Sequence, residues 1–437
     1  MKDGFFLCLK MEKLYKLFYE TSGICTDSRK ITNDCLFICL KGDNFNGNVF
    51  AESAIENGAK YVISDERNYC NETSIFYVDN ALIFLQKLAN YHRNQFSIPV
   101  IGITGSNGKT TSKELISCVL ATKYNVLFTE GNLNNHIGVP LTLLRLNAEH
   151  EIAVIEMGAN KFFDIQELTE IAEPTLGIIT NIGKAHLEGF KNFEGVLKTK
   201  KELYDSIEIS KGKIIINNDD SILKNILPSG INVLSYGEAS NSEIQGELVN
   251  MTPFVEFKWK SNNYTSPIIS TNLIGKYNFY NFLAAIAFGI QFEIDPQLIN
   301  EALESYNPTN NRSQVKETAK NKLILDCYNA NPTSMKSALE SFAQIPTNEK
   351  TFIIGDMLEL GEESIKEHEN IINLIDKLNL KGFFVGSIFK TILSENSNAF
   401  DSRENAEVFF NVNQIKDQLI LLKGSRGIGL EKLESLF

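Results

Sequence analysis

The segment Thr104-Gly105-Ser106-Asn107-Gly108-Lys109-Thr110-Thr111 carries the residue types that a nucleoside triphosphate needs. Glycines there let backbone N–H groups turn toward phosphate oxygens, and a helix that follows adds its partial positive end. Lys109 is spaced to reach the β- and γ-phosphates, and the Thr110 hydroxyl to ligate magnesium. The apolar run Val100–Thr104 precedes the loop and a helical pattern over 110–123 follows it, which is the strand–turn–helix setting of a phosphate loop. The usual pattern has another glycine five residues before Gly108. Ile103 stands there, so this is the shorter GxxGKTT form.

Two further strand ends carry ligand-type side chains. Ile152-Ala153-Val154-Ile155 runs into Glu156, a carboxylate placed as the metal-binding acid of other phosphate-loop enzymes is placed. Taken alone, such an acid is more often a surface charge. Thr180-Asn181-Ile182-Gly183-Lys184-Ala185-His186 repeats the arrangement with a histidine, an unusual ligand for magnesium, which prefers oxygen. Lys198, Lys200 and Lys201 then open a helical stretch; on plain chemistry they read as a solvated basic face.

These residues need a scaffold, and the hydrophobic pattern supplies one. Short apolar runs alternating with helical segments indicate parallel strands buried on both faces. Over the first ninety-odd residues, Cys35–Leu40 and Lys60–Ser64 read as strands, and 49–58 and Asn80–Arg93 as helices. Residues 230–275 read as a short antiparallel extension, and Asn278–Gln291 as a buried helix. Three later runs, Leu323–Asp326, Thr351–Asp356 and Gly382–Gly386, have the rhythm of a doubly wound sheet. The expectation is an α/β chain of three domains. Residues 1–96 form a small α/β N-terminal domain. Residues 97–306 form a central phosphate-loop ATPase domain with a mostly parallel sheet. Residues 307–437 form a C-terminal Rossmann-like domain.

Bulk properties narrow the class. The chain has 437 residues, 43% of them hydrophobic, and a net charge of −12. That balance argues against a general binder of nucleic acid or anionic membrane. Seven cysteines, odd in number and without a CxxC pair, fit a reducing compartment better than a disulfide framework. The run Phe5–Leu9 is too short for a signal or a membrane span, so a cytoplasmic protein without membrane insertion is expected.

Taken together, the loop, the Glu156 and His186 strand ends and the helix lysine resemble the Mur ligase family, which builds the peptide of the bacterial cell-wall precursor. The resemblance covers nearly the whole chain. It implies that one lysine carries a carbamate formed with CO2 and contributes to the magnesium site; spacing to Leu203-Tyr204 matches it to Lys200. Further segments are similar to the family member that adds D-alanyl-D-alanine to UDP-N-acetylmuramoyl-tripeptide. They are Thr26-Asp27-Ser28-Arg29-Lys30, Asn134-Asn135-His136-Ile137-Gly138, Asp326-Cys327-Tyr328-Asn329-Ala330-Asn331-Pro332, Gly355–Gly361 and Lys423–Arg426. Two departures stand out. Asn46-Gly47-Asn48 replaces a frequent Asp-Gly-His, and Leu325 replaces the first of two acids before the Tyr-Asn-Ala-Asn-Pro signature.

The resemblance implies an ATP- and Mg2+-dependent amide ligase of peptidoglycan precursor synthesis, acting through an acyl phosphate. Lys109, Glu156, His186 and Lys200 are the implied catalytic set, with Thr110, Glu156, His186 and Lys200 at the metal. Gly105, Ser106, Asn107, Gly108, Lys109, Thr110 and Thr111 would hold the phosphates, and Asn278, Asn281, Arg312 and Asp326 the rest of the nucleotide. Ser28 and Arg29 would contact the uridine diphosphate, and Asn134 and Asn135 the substrate. Tyr328, Asn329 and Asn331 either contact the dipeptide or form a structural turn. The expected partners are UDP-N-acetylmuramoyl-tripeptide and D-alanyl-D-alanine, with no nucleic acid, and the chain is expected to act as a monomer. A third-residue ligase or folylpolyglutamate synthase is the close rival. A nucleotide-switched regulator is the rival from another class.

Overall fold

The computed structural model describes residues 12–71, 73–262 and 264–437. The run Phe5–Leu9 lies outside them. The chain divides into two compact units. One holds residues up to Gly102 with 125–158 and 166–175; the other holds 103–124, 159–165 and 176–437.

In the first unit a four-stranded parallel sheet has the order β1 (Ile24–Cys25), β2 (Leu36–Ile38), β3 (Tyr61–Ser64) and β4 (Ile75–Tyr77). Helix α1 (Ala81–Arg93) starts where the Asn80 side chain accepts the Ile83 N–H at 2.9 Å. Asn48, one of the residues that departs from the family pattern, is fully buried and works as a hub. Its amide donates to Asp65 Oδ1 at 2.8 Å and its oxygen accepts from the Ser64 hydroxyl at 2.6 Å. Strand β5 (Val100–Thr104) leaves this unit for the other. Two more strands of the first unit, β6 (Val126–Phe128) and β7 (Ile152–Glu156), pair in parallel, and β7 is buried along its whole length.

The second unit opens on α2 (Lys109–Leu120). Strands β8 (Leu176–Ile179), β9 (Lys213–Asn217) and β10 (Asn232–Gly237) are parallel, with α3 (Phe193–Ile209) crossing between β8 and β9. The expected antiparallel extension begins later than residue 230. Strand β11 (Ile244–Asn250) still runs parallel to β10, and only β12 (Glu256–Ser261) turns back on β11. The sole tryptophan, Trp259, sits buried on β12, donating its indole N–H to Asn300 Oδ1 at 2.8 Å. Helix α4 (Tyr277–Gln291) is apolar on almost every side and packs against α2 and the sheet. Below it, Glu114 of α2 accepts from the Tyr306 hydroxyl at 2.5 Å and the Asn310 amide at 2.8 Å, which ties the following linker to the phosphate-loop helix.

The chain then forms β13 (Gln314–Glu317), β14 (Lys322–Asp326), α5 (Pro332–Gln344), β15 (Lys350–Gly355), α6 (Ser364–Lys377), β16 (Gly382–Val385), β17 (Ala399–Phe400) and β18 (Leu419–Lys423). The sheet order is β13-β14-β18-β15-β16-β17, and every pair except β13–β14 is parallel. Such a doubly wound sheet gathers the carboxyl ends of its strands at one edge. Asp326 and Lys423 are neighbours there, in register. The six described cysteines are free, and among the described residues no helix is long and apolar enough to cross a membrane.

Candidate active site

The phosphate loop is braced by the strand-end segment beside it. The Ser106 hydroxyl donates to Gly183 O at 3.0 Å and accepts the Gly183 N–H at 2.9 Å. Thr180 Oγ1 and Asn181 Nδ2 both donate to Asn107 O, at 2.6 and 2.9 Å, and Asn181 Oδ1 accepts the Asn107 N–H at 3.1 Å. Two glycines are required by this closeness. Gly105 has φ +146° and a β-carbon there would overlap the Thr180 hydroxyl; Gly108 has φ +79° and its β-carbon would fall 2.8 Å from Asn281 Oδ1. Lys109 folds over the loop and donates to Gly105 O at 2.6 Å. Thr110 and Thr111 open α2.

Asn278 and Asn281 lie beneath this loop. They are 1% and 6% exposed, Asn281 donates to Asn278 Oδ1 at 2.9 Å, and its own oxygen accepts from the Ser112 hydroxyl at 3.0 Å. These groups brace the turn at Gly108 from inside.

Helical geometry separates the three lysines of α3. Lys198 is exposed and pairs with Glu194 at 3.8 Å, and Lys201 pairs with Asp205. Lys200 is 2% exposed, with its amine 5.8 Å from the centre of the Phe190 ring. Burial pushes its pKa well below the usual lysine range, and the charge of Lys109 pushes the same way; Asp164 and Glu202 oppose more weakly. A neutral amine is the nucleophilic form that reacts with CO2.

His186 sits in the left-handed region at φ +51°. Its Nδ1 lies 2.5 Å from Glu359 Oε2, and this approach holds the Glu359 carboxyl below its usual range. Two residues earlier, the Lys184 ammonium donates to Glu367 Oε1 at 2.6 Å. From the C-terminal sheet, the Arg312 guanidinium stacks 3.5 Å over the Tyr328 ring and Arg426 lies 5.6 Å from it. Asp326 accepts from Lys423 at 2.6 Å and from the Ser313 N–H at 3.3 Å. Asn331 caps α5 by accepting the Ser334 N–H at 2.9 Å, and its amide donates to Asn107 Oδ1 at 2.7 Å. The side chain of Asn331 therefore reaches the phosphate loop, whereas Asn329 turns onto the Ala330 N–H at 2.9 Å.

In the first unit, Glu156 is 1% exposed and accepts from Asn134 Nδ2 at 2.7 Å. Asn135 accepts the N–H groups of Ile137 and Gly138 at 3.1 and 2.9 Å, a local turn that starts a short helix. At the far end of this unit, the Arg29 fork closes on Asp27 with two contacts of 2.8 Å. Those bonds lower the Asp27 carboxyl to about 2. Ser28 opens the same exposed turn. Sequence reasoning gives no role to Glu359, Glu367, Thr180 or Asn181. The Gly355–Gly361 and Thr180–His186 segments point at Glu359, Thr180 and Asn181, and neither contains Glu367.

A braced phosphate loop together with a buried lysine whose pKa is pushed down defines an ATP-consuming enzyme of the short-loop class. Comparison with known proteins then places it. The Mur ligase middle domain matches residues 103–289, the Mur ligase glutamate ligase domain residues 311–426, and the Mur ligase family catalytic domain residues 20–101. UDP-N-acetylmuramoyl-tripeptide–D-alanyl-D-alanine ligase of Bacillus subtilis (strain 168) is 34% identical over 94% of this chain and 92% of its own. The enzyme of that name from Buchnera aphidicola subsp. Baizongia pistaciae is 36% identical over 99% and 94%. Among solved structures, MurF from Acinetobacter baumannii superposes with a TM-score of 0.87 at 30% identity, covering 96% of this chain and 97% of that one. MurF from Thermotoga maritima in complex with ADP gives 0.84 at 26%, covering 95% and 97%. The chain belongs to the Mur ligase family, and it is an ATP-dependent ligase.

Proposed function

We propose that this ligase joins D-alanyl-D-alanine to UDP-N-acetylmuramoyl-tripeptide in the synthesis of the peptidoglycan precursor, in the cytoplasm and as a monomer. Two relatives carrying that activity in their names align with it over more than nine-tenths of its length. The observation that carries the chemistry is Lys200, an inward-facing lysine whose charged form is disfavoured by burial and by the charge of Lys109.

The tripeptide's terminal carboxylate attacks the γ-phosphorus of ATP, the bond to the ADP oxygen breaks, and an acyl phosphate forms. The dipeptide's amino group then attacks the acyl carbon, and phosphate leaves with the bonding pair. The N–H groups of the Gly105–Thr111 loop orient the phosphates, and Lys109 exchanges its bond with Gly105 O for one with a phosphate oxygen. Asn278 and Asn281 support the nucleotide side of the loop by fixing Gly108. Arg312 and Asp326 serve the nucleotide, while Tyr328 and Asn329 serve the dipeptide. In the N-terminal domain, Ser28 and Arg29 serve the uridine diphosphate. Arginine suits a diphosphate because its planar fork donates twice.

Among the described residues no three His, Cys, Asp or Glu side chains cluster as a metal site. An ion here would draw on oxygens of the nucleotide and of a carbamylated lysine. Thr110 and a carbamate on Lys200 are hard oxygen donors that fit magnesium. His186 would add an imidazole nitrogen, and Glu156 keeps the ligand role that the family likeness implies. Magnesium, when bound, offsets the charge crowded on the β- and γ-phosphates.

The test is phosphate release from Mg-ATP with UDP-N-acetylmuramoyl-tripeptide, with and without D-alanyl-D-alanine, and the product weighed. Release that requires the dipeptide, with a product heavier by one dipeptide minus water, is expected. No release with either the lysine or the diaminopimelate tripeptide, from folded protein, would overturn the assignment.

A further inference from the structure

Glu359 Oε2 faces His186 Nδ1 at 2.5 Å. Both residues adopt left-handed backbone conformations, His186 at φ +51° and Glu359 at φ +64°, which non-glycine residues seldom occupy. Strain of this kind persists where the surroundings impose it, and it gathers at functional sites. Segments 184–188 and 359–367 grip each other at three points. Lys184 donates to Glu367 at 2.6 Å, the Glu188 N–H donates to Glu359 O at 3.3 Å, and Glu359 Oε2 lies 2.5 Å from His186 Nδ1. Only the last reaches the imidazole. A carboxylate offers acceptors alone, so a hydrogen bond across this gap requires the tautomer with its proton on Nδ1.

We propose that Glu359 is a positioning residue: it holds His186 with Nδ1 protonated and leaves the Nε2 lone pair for the divalent cation that accompanies the nucleotide. The inference rests on His186 being a ligand of that cation. Nδ1 makes no aligned hydrogen bond in the structure, although Glu359 Oε2 lies 2.5 Å away. Imidazoles bound to metals commonly keep such a partner on the second nitrogen, and losing it costs about 10–100-fold in affinity.

The experiment titrates Mn2+ into the full chain in the presence of ADP, reading free ion by electron paramagnetic resonance. Imidazole 15N spectra report the His186 tautomer. Glu359→Ala is expected to weaken Mn2+ binding by about 10–100-fold and to turn a single Nδ1–H signature into a mixture. Glu359→Gln, whose amide oxygen still accepts, should recover most of the affinity. Lys184→Ala, which loosens the grip without touching the ring, should keep the signature and bind Mn2+ within about fivefold of the parent. The proposal fails if Glu359→Ala binds Mn2+ like the parent while His186→Ala does not. It fails equally if Lys184→Ala reproduces both effects of Glu359→Ala. Undiminished binding by His186→Ala would instead remove His186 from the metal site, and the proposal with it.

Discussion

Replacing Gly105 by alanine puts a β-carbon onto the Thr180 hydroxyl and 3.1 Å from the Thr180 nitrogen. The backbone at φ +146° is a conformation open almost only to glycine, which costs an alanine about 1–3 kcal/mol. Thr180 must also rotate away and give up its 2.6 Å bond to Asn107 O. A hydrogen bond of that kind contributes about 1 kcal/mol. The sum, about 2–4 kcal/mol, falls on the shape of the phosphate loop, and corresponds to about 30–1000-fold weaker nucleotide binding. Isothermal titration with a non-hydrolysable Mg-ATP analogue measures it, and circular dichroism checks that the variant is folded. The steric part has its own control. In a Thr180→Ala background the hydroxyl is already gone, so adding Gly105→Ala should cost less than it does alone, because neighbours do not add independently. A folded Gly105→Ala protein that binds the analogue within about threefold of the parent would refute the reasoning.

Other consequences can be checked alongside. Lys200→Met in CO2-free buffer should stabilise the fold at neutral pH. Burial lowers the native lysine's pKa below that of the unfolded one, so the native state binds protons less readily; the gain should shrink as pH rises toward the ordinary lysine pKa, as read by urea unfolding. Asn134→Ala leaves the buried Glu156 carboxylate without its 2.7 Å donor and should cost about 1.5–3 kcal/mol in the same assay. Asn331→Asp keeps an oxygen to cap α5 but loses the amide that donates to Asn107. It should retain stability and raise the KM for ATP, whereas Asn331→Ala should also lose about 1 kcal/mol of stability.

The parts of the site that lie close together along the chain are legible in the sequence alone. Strand, glycines, lysine and threonines sit within a dozen residues; steric need dictates the glycines, and phosphate charge and a hard cation dictate the lysine and threonine. Lys200 can be picked from its neighbours only through resemblance, yet the reason is simple geometry: consecutive helix positions face different ways, and Lys198 and Lys201 face solvent. The rest depends on contacts between distant segments. Asn331 meets Asn107 across 224 positions, and no local pattern announces that meeting. Its Asn-Pro context speaks only of a turn, and the helix cap is half of the answer. Asn134, expected against the substrate, spends its amide on Glu156. Strand β10 falls in the stretch expected to be antiparallel because 230–275 is rich in β-branched and aromatic residues, and composition does not reveal strand direction. A parallel neighbour usually needs a crossover of a dozen or more residues, yet β10 and β11 are joined by 238–243 alone.

The lone tryptophan gives the molecule a built-in optical probe. Trp259 is sealed from water on β12, packed at a tilt against Tyr264 with ring centres 4.9 Å apart and tethered through its indole N–H to Asn300. Its emission should be blue-shifted in the native protein and move to the red when the hairpin of β11 and β12 opens. Fluorescence will therefore follow that hairpin, while far-ultraviolet circular dichroism averages over every helix. Denaturation curves from the two probes that coincide would mean that the antiparallel edge melts with the rest of its unit. A fluorescence transition at lower urea would mark the hairpin as the first part to detach.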